Sequence, residues 1–124
     1  MVILVAAGIS LGQTQDGLSE SEYHRTFPPE PLAVRAEIRD GKPMVMWNKP
    51  PTAAGKLAYD PVIDRYRVYR VSGFNDKTLI GETRATLYVD SAAPTGTTQR
   101  YVVTTVQRSG HESAPSQEAE LRIP

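Results

Sequence analysis

Cysteine is absent from the 124 residues. That excludes a disulfide framework, a thiolate nucleophile and a zinc site built on thiolates. It leaves the compartment open, because a chain near 150 residues buries about 68–70% of its unfolded surface and needs no covalent staple. Net charge is absent as well, since 14 Lys and Arg balance 14 Asp and Glu. The balance argues against a nucleic-acid-binding arm and against a polybasic membrane patch. Histidine occurs only twice, as His24 and His111. No apolar run reaches the roughly 20 residues that a membrane-spanning helix needs, so no stable membrane insertion is expected. No stretch shows a helical hydrophobic period with caps at its ends. The length fits one domain.

What is present falls into unequal parts. Residues 1–12 carry no charge and include Val2, Ile3, Leu4, Val5, Ile9 and Leu11. This length suits the apolar region of a secretory signal, about 7–15 residues. Ser10 and Gly12 offer a small-residue cleavage site before Gln13, and Ala6 with Gly8 offers another. The basic start of such a signal is missing, so the segment reads as a signal remnant or as a frayed apolar strand. Residues 13–30 are polar and end on Pro28-Pro29, which blocks helix and favours extended chain. Residues 1–30 hold one basic and four acidic groups, against 13 basic and 10 acidic in 31–124. An acidic linker at 13–30 thus precedes a mildly basic body at 31–124.

The body is dominated by a period of two. Val45 and Trp47 alternate with Met44 and Met46, and Tyr66 and Val68 with Arg65, Arg67 and Tyr69. Tyr101, Val103 and Thr105 alternate with Val102, Thr104 and Val106, and Ala119, Leu121 and Ile123 with charged neighbours. Such alternation signals strands with one buried face. Turn residues punctuate the runs at Asp40-Gly41, Pro50-Pro51, Ala54-Gly55, Gly73-Phe74-Asn75-Asp76, Pro94-Thr95-Gly96 and Ser109-Gly110. Seven strands are predicted, at about 32–38, 43–48, 62–71, 78–83, 86–90, 99–108 and 117–123. That is the count of a small all-β antiparallel sandwich. Its expected core is Val45, Trp47, Tyr66, Val68, Tyr88, Tyr101, Val103 and Leu121.

Taken in order, these residues resemble a fibronectin type III domain of the bacterial extracellular kind, over 31–124. The resemblance rests on Val45-Met46-Trp47 followed by Pro50-Pro51, and on Ile63 with Tyr66-Arg67-Val68-Tyr69-Arg70. It continues through Leu79-Ile80-Gly81, Leu87-Tyr88-Val89-Asp90, Tyr101 to Val106, and Ser109-Gly110 to Ser116. It implies a seven-stranded immunoglobulin-like sandwich. One position departs. The family's corner tyrosine is expected two residues before the inward aromatic of its sixth strand, where this chain has Gln99. Either the Gln99 amide replaces that corner bond, or the strand alignment is shifted.

No group in the pattern performs chemistry. The histidines have no ligand-spaced partners, and a metal site needs three or four convergent ligands. Asn75-Asp76 without a following series of oxygen donors is a hairpin turn rather than a calcium loop. Ser109, Ser113 and Ser116 lack a nucleophile elbow, and no glycine-rich phosphate cradle occurs. Arg39-Asp40-Gly41 reverses the integrin-type order and reads as a hairpin turn. No enzyme activity, cofactor or metal is expected.

With Tyr66 and Val68 inward, Arg65, Arg67 and Tyr69 point outward, as do Val102, Thr104 and Val106. A surface mixing Tyr, Arg and apolar groups has the composition of an interaction face, although β-branched residues are also ordinary strand formers. The resemblance implies a non-catalytic module, secreted, periplasmic or at the cell surface, that contacts a protein partner or acts as a structural spacer. Its alternative is a carbohydrate-associated accessory module of a polysaccharide-acting system. That role needs a line of exposed aromatics, for which Tyr69 and Tyr59 are the candidates. Nucleic acid is not an expected partner, because three arginines on a nearly neutral body form a thin electrostatic footprint.

Overall fold

A computed structural model describes residues 28–50 and 63–124. The expected leader at 1–12, most of the expected linker, the Ala54-Gly55 turn and Tyr59 lie outside the described residues. Seven strands follow in order: β1 (Leu32–Arg39), β2 (Lys42–Asn48), β3 (Ile63–Ser72), β4 (Asp76–Thr83), β5 (Leu87–Val89), β6 (Thr98–Gln107) and β7 (Ala119–Arg122). They form two antiparallel sheets, β1-β2-β5 and β4-β3-β6-β7. This is the seven-stranded antiparallel sandwich that the alternation predicts, of the immunoglobulin-like kind that the resemblance implies.

The inner faces follow from parity. Val45 and Trp47 from β2 meet Tyr66 and Val68 from β3 and Tyr101 and Val103 from β6 in one buried cluster. Tyr88 and Leu121 are partly buried and pack at its border. The Trp47 and Tyr66 rings meet edge to face, with centroids 5.3 Å apart. Burying each such side chain contributes about 1.5–3 kcal/mol.

Most strand ends fall within one residue of expectation, and two starts differ by two residues, for local reasons. β4 begins at Asp76 rather than 78, because Gly73 and Asn75 adopt positive φ and close the hairpin tightly enough for Asp76 to pair with Ser72. β7 begins at Ala119 rather than 117, because serine side chains replace strand pairing just before it. The Val103 amide donates to Ser116 Oγ (3.0 Å) and the Thr105 amide to Ser113 Oγ (2.9 Å). In return the Ser116 and Ser113 amides donate to the Val103 and Thr105 carbonyls. Both strand amides are thereby satisfied in the interior, where an unpaired one would cost about 1–3 kcal/mol.

Two tyrosines tie the sheets together. The Tyr88 hydroxyl reaches from β5 to the Ile80 carbonyl of β4, at 2.7 Å. Gly81 makes room for it, since a Cβ there would lie 2.3 Å from the Tyr88 ring. At the opposite corner the Tyr101 hydroxyl donates to Asp90 Oδ2 (2.8 Å), and Arg70 grips the same carboxylate through Nε (2.8 Å) and Nη2 (2.6 Å). The corner is therefore closed by Tyr101 itself, through a carboxylate. The Gln99 amide stays local and donates to Thr97 Oγ1. Asp90 is only 2% exposed. Burial pushes its carboxyl up, but the bonds from Arg70 and Tyr101 outweigh that and hold it below the ordinary value.

Candidate interaction face

The six residues of the expected face share the outer side of the larger sheet. Register sets Arg65 opposite Val106, Arg67 opposite Thr104, and Tyr69 opposite Val102. Their exposure departs from expectation. Val102, Thr104 and Val106 point outward yet are buried, at 4%, 2% and 0% exposure. The longer side chains of β3 and the connection between β6 and β7 cover them.

Glu112 is the residue that closes this cover. It forms an isolated bridge with Val106, which brings its carboxylate over β6. Arg67 Nη1 donates to its Oε1 at 2.8 Å, and Thr104 Oγ1 donates to its Oε2 at 2.7 Å. The Tyr69 hydroxyl donates to the same Oε2. Arg67 and Tyr69 thus reach across Thr104 to a common acceptor. Burial raises the Glu112 carboxyl, but the hydrogen bonds of Tyr69 and Thr104 and the charge of Arg67 outweigh it and keep it below its ordinary value. The Tyr69 hydroxyl moves the other way, raised by burial and then by its bond to Glu112.

On the far side the ladder continues over β4. Arg67 Nε donates to Glu82 Oε2 at 2.7 Å, and Arg65 Nε lies 3.4 Å from Glu82 Oε1. Arg65 also meets Asp64 (2.8 Å), which Arg84 approaches at 3.3 Å. Glu82 and Asp64 are held below the usual carboxylate range, by the hydrogen bonds of Arg67 and of Arg65 respectively before any other cause. The Lys77 ammonium sits 5.6 Å from the Tyr69 ring centre. Arg65, Arg67, Arg84, Glu82, Asp64 and Glu112 therefore satisfy one another. Among the described residues, no three His, Asp or Glu side chains converge as metal ligands would.

Shallow depressions flank the ladder. One, of about 530 Å³, runs beside Tyr69 and is lined by Asn75, Asp76, Lys77, Glu112 and Pro115 among others. Another, of about 450 Å³, lies at Arg65, Glu82, Thr83 and Arg84. Both are polar surface dents rather than clefts. The sequence reading missed Glu112, which sits in a stretch with no alternation. It also took Phe74 only as part of a turn. Phe74 is 90% exposed at the β3–β4 hairpin tip, and an apolar ring among turn residues was the available signal.

No protein-family model matches the chain, and neither does any curated protein. Solved structures do. The chain is similar to an Fn3-like protein from Clostridium thermocellum, at 29% identity and a TM-score of 0.60, over 78% of this chain and 94% of that one. It is similar to a set of titin domains at 20% identity and a TM-score of 0.63, over 78% of this chain and 32% of that one. It is also similar to part of a β-1,2-glucanase from Parabacteroides distasonis, at 21% identity and a TM-score of 0.60, over 77% of this chain and 13% of that one. The chain spans nearly all of the first and a third or less of the other two.

Proposed function

We infer that this chain, a fibronectin type III domain by fold, is a non-catalytic extracellular module that makes a protein contact or spaces neighbouring domains. One observation carries the protein-contact reading. Phe74 stands 90% exposed on a hairpin whose backbone is fixed by positive φ at Gly73 and Asn75. Arg100 Nη2 donates to the Gly73 carbonyl at 2.7 Å and braces the same turn. A bare aromatic on a rigid turn has the character of an interface anchor, since Phe, Tyr and Trp are enriched at such contacts. The apolar length of residues 1–12 supports the extracellular location.

The second reading, a carbohydrate-associated accessory module, draws support from the glucanase neighbour. It requires exposed rings in a line. Tyr69 has its hydroxyl tied to Glu112 and a lysine against its ring, which among the described residues leaves Phe74 as the open ring beside this face, Tyr59 lying outside them. The protein reading is therefore preferred. A photo-crosslinking residue placed at position 74 of the full chain, in its native host, tests it. Discrete protein adducts that disappear when the crosslinker is moved to exposed Glu120 are expected. Retardation of the unmodified chain in gels cast with β-1,2-glucan or pectin, without protein adducts, would instead establish the carbohydrate role.

A further inference from the structure

The smaller sheet has an outer face of a different kind. Val45 and Trp47 are buried in the core, so Met44 and Met46 of β2 point the other way. Register places Leu87 beside Met46 and Val89 beside Met44 on the β5 side. On the β1 side it places Arg35 beside Met46, Glu37 beside Met44, and Arg39 beside Lys42. The result is an apolar strip along β2 and β5 with a charged border along β1. Leu87 is 45% exposed, Met44 and Val89 are half-buried, and Met46 between them keeps 9% of its surface in solvent. Among the described residues no third layer covers it, because the sandwich has two sheets only.

The border is unbalanced. Glu37 is the one acid on β1 and Arg39 already pairs with it, while Asp40 lies beyond the strand in the turn to β2. Arg35 donates to two uncharged acceptors, the Ala33 carbonyl at 2.7 Å and Asn48 Oδ1 at 3.4 Å. Lys42 is exposed and makes no ion pair among the described residues. Among the described residues two cations therefore have no carboxylate partner beside an apolar strip, whereas Arg65, Arg67, Arg84 and Arg100 around the larger sheet's outer face each meet one. Methionine's flexible thioether adapts to varied partners, which suits it to contact surfaces.

We propose that this strip docks a partner protein through an apolar surface edged with Asp and Glu, which would neutralise Arg35 and Lys42. The inference rests on the protein-contact reading above but assigns a second surface to it. A second copy of the chain fits poorly, since its matching face offers Glu37, already held by Arg39, and Asp40 only at the turn end. A lipid surface fits poorly too, because anchoring in the headgroup region needs apolar groups sunk about 5–10 Å deep, and of these side chains only Leu87 stands clear of the sheet, with Met46 buried.

The chain has three methionines, Met1, Met44 and Met46, so methyl-labelled methionine yields a three-signal spectrum with two reporters in the strip. The full chain is screened against immobilised peptides with apolar cores flanked by Asp and Glu, and against the same cores flanked by Lys. The retained peptides are then titrated into the labelled chain. The expected result is retention of the acid-flanked set, with shifts at Met44 and Met46 and none at Met1. Arg35→Glu combined with Lys42→Glu should weaken that binding about tenfold or more while the Trp47 indole signal stays in place. Equal retention of both sets, or retention of neither, overturns the proposal. So do retained peptides that leave Met44 and Met46 unmoved, although that result leaves protein contact through Phe74 standing. Concentration-dependent shifts of the same methyls without peptide would assign the strip to self-association. Shifts with anionic phosphatidylglycerol vesicles but no peptide would assign it to membrane. Either outcome overturns the proposal.

Discussion

The two outer faces of this sandwich have similar raw material and opposite finishes. On the larger sheet, arginines, acids and a tyrosine lie over a buried row of Val102, Thr104 and Val106, and nearly every polar group has a partner within the face. On the smaller sheet, Met44, Met46, Leu87 and Val89 run beside Arg35 and Lys42, which no carboxylate meets among the described residues. The difference shows that exposure by parity and availability for binding are separate properties. A face closed by its own ion pairs offers a partner little, because each new contact must first displace an existing one. A face with apolar side chains and unspent charge gains on both counts when it is covered.

The interior sets the scale for how much the closed face is worth. Asp90 is the fully buried counterpart of Glu112: it accepts from Arg70 and Tyr101 as Glu112 accepts from Arg67, Tyr69 and Thr104. Asp90→Ala should give the largest loss, about 3–5 kcal/mol in urea unfolding, since removing one partner strands the other in the interior. Arg70 keeps about a quarter of its side chain in solvent, which favours the lower end. Glu112→Ala should follow at about 1–3 kcal/mol, the cost of leaving the buried Thr104 hydroxyl and its neighbours without an acceptor. A Glu112→Ala loss matching that of Asp90→Ala would mean that the outer network bears on the core as much as the inner corner does. A loss under about 0.5 kcal/mol would mean that it is ordinary surface pairing.

Residues of regular alternation were legible in advance, and residues outside it were not. The sandwich, its seven strands and the cluster around Trp47, Tyr66 and Tyr101 follow from a period of two and turn punctuation. The same period assigned Val102, Thr104 and Val106 to the outside correctly in direction but not in exposure, because it carries no information about long-range cover. Glu112 closes the face from a non-alternating stretch, 45 residues from Arg67 and 8 from Thr104. The corner was missed for a related reason. Tyr101 was placed only as a core aromatic, and Asp90 as the end of a strand, so their hydroxyl–carboxylate bond had no signal in spacing. Met44 and Met46 were readable all along as the opposite parity to Val45 and Trp47, but an apolar residue in an apolar run conceals its direction.

Acid should act on both carboxylates in the same sense. Asp90 and Glu112 have folded values held below their ordinary ones. Groups shifted down on folding contribute stability that is fully present above their unfolded values, about 4. It is lost as pH falls through the folded values, where the native state too takes up the proton. Unfolding free energy should therefore hold level from pH 7 to about 5 and fall below about 4. In Glu112→Gln the fall should be shallower, because one of the lowered carboxylates is gone and Asp90, with the exposed Asp64 and Glu82, supplies what remains. An unchanged slope would remove Glu112 from the acid response and leave its role to geometry alone.

The smallest effect is expected where the smaller sheet faces outward, and that smallness is informative. Leu87 sits 45% exposed on a three-residue edge strand, beside Met46 and clear of the Trp47 cluster. Leu87→Ser removes apolar surface of which folding leaves nearly half in water, so unfolding free energy should stay within about 1 kcal/mol of the parent. If the strip exists to be covered by a partner, the same change should nonetheless reduce retention on acid-flanked apolar peptides. A loss of more than about 2 kcal/mol would show that Leu87 holds the sandwich together. The strip would then be part of the fold's own packing, and the contrast between a closed face and an open one would reduce to one between polar and apolar cover.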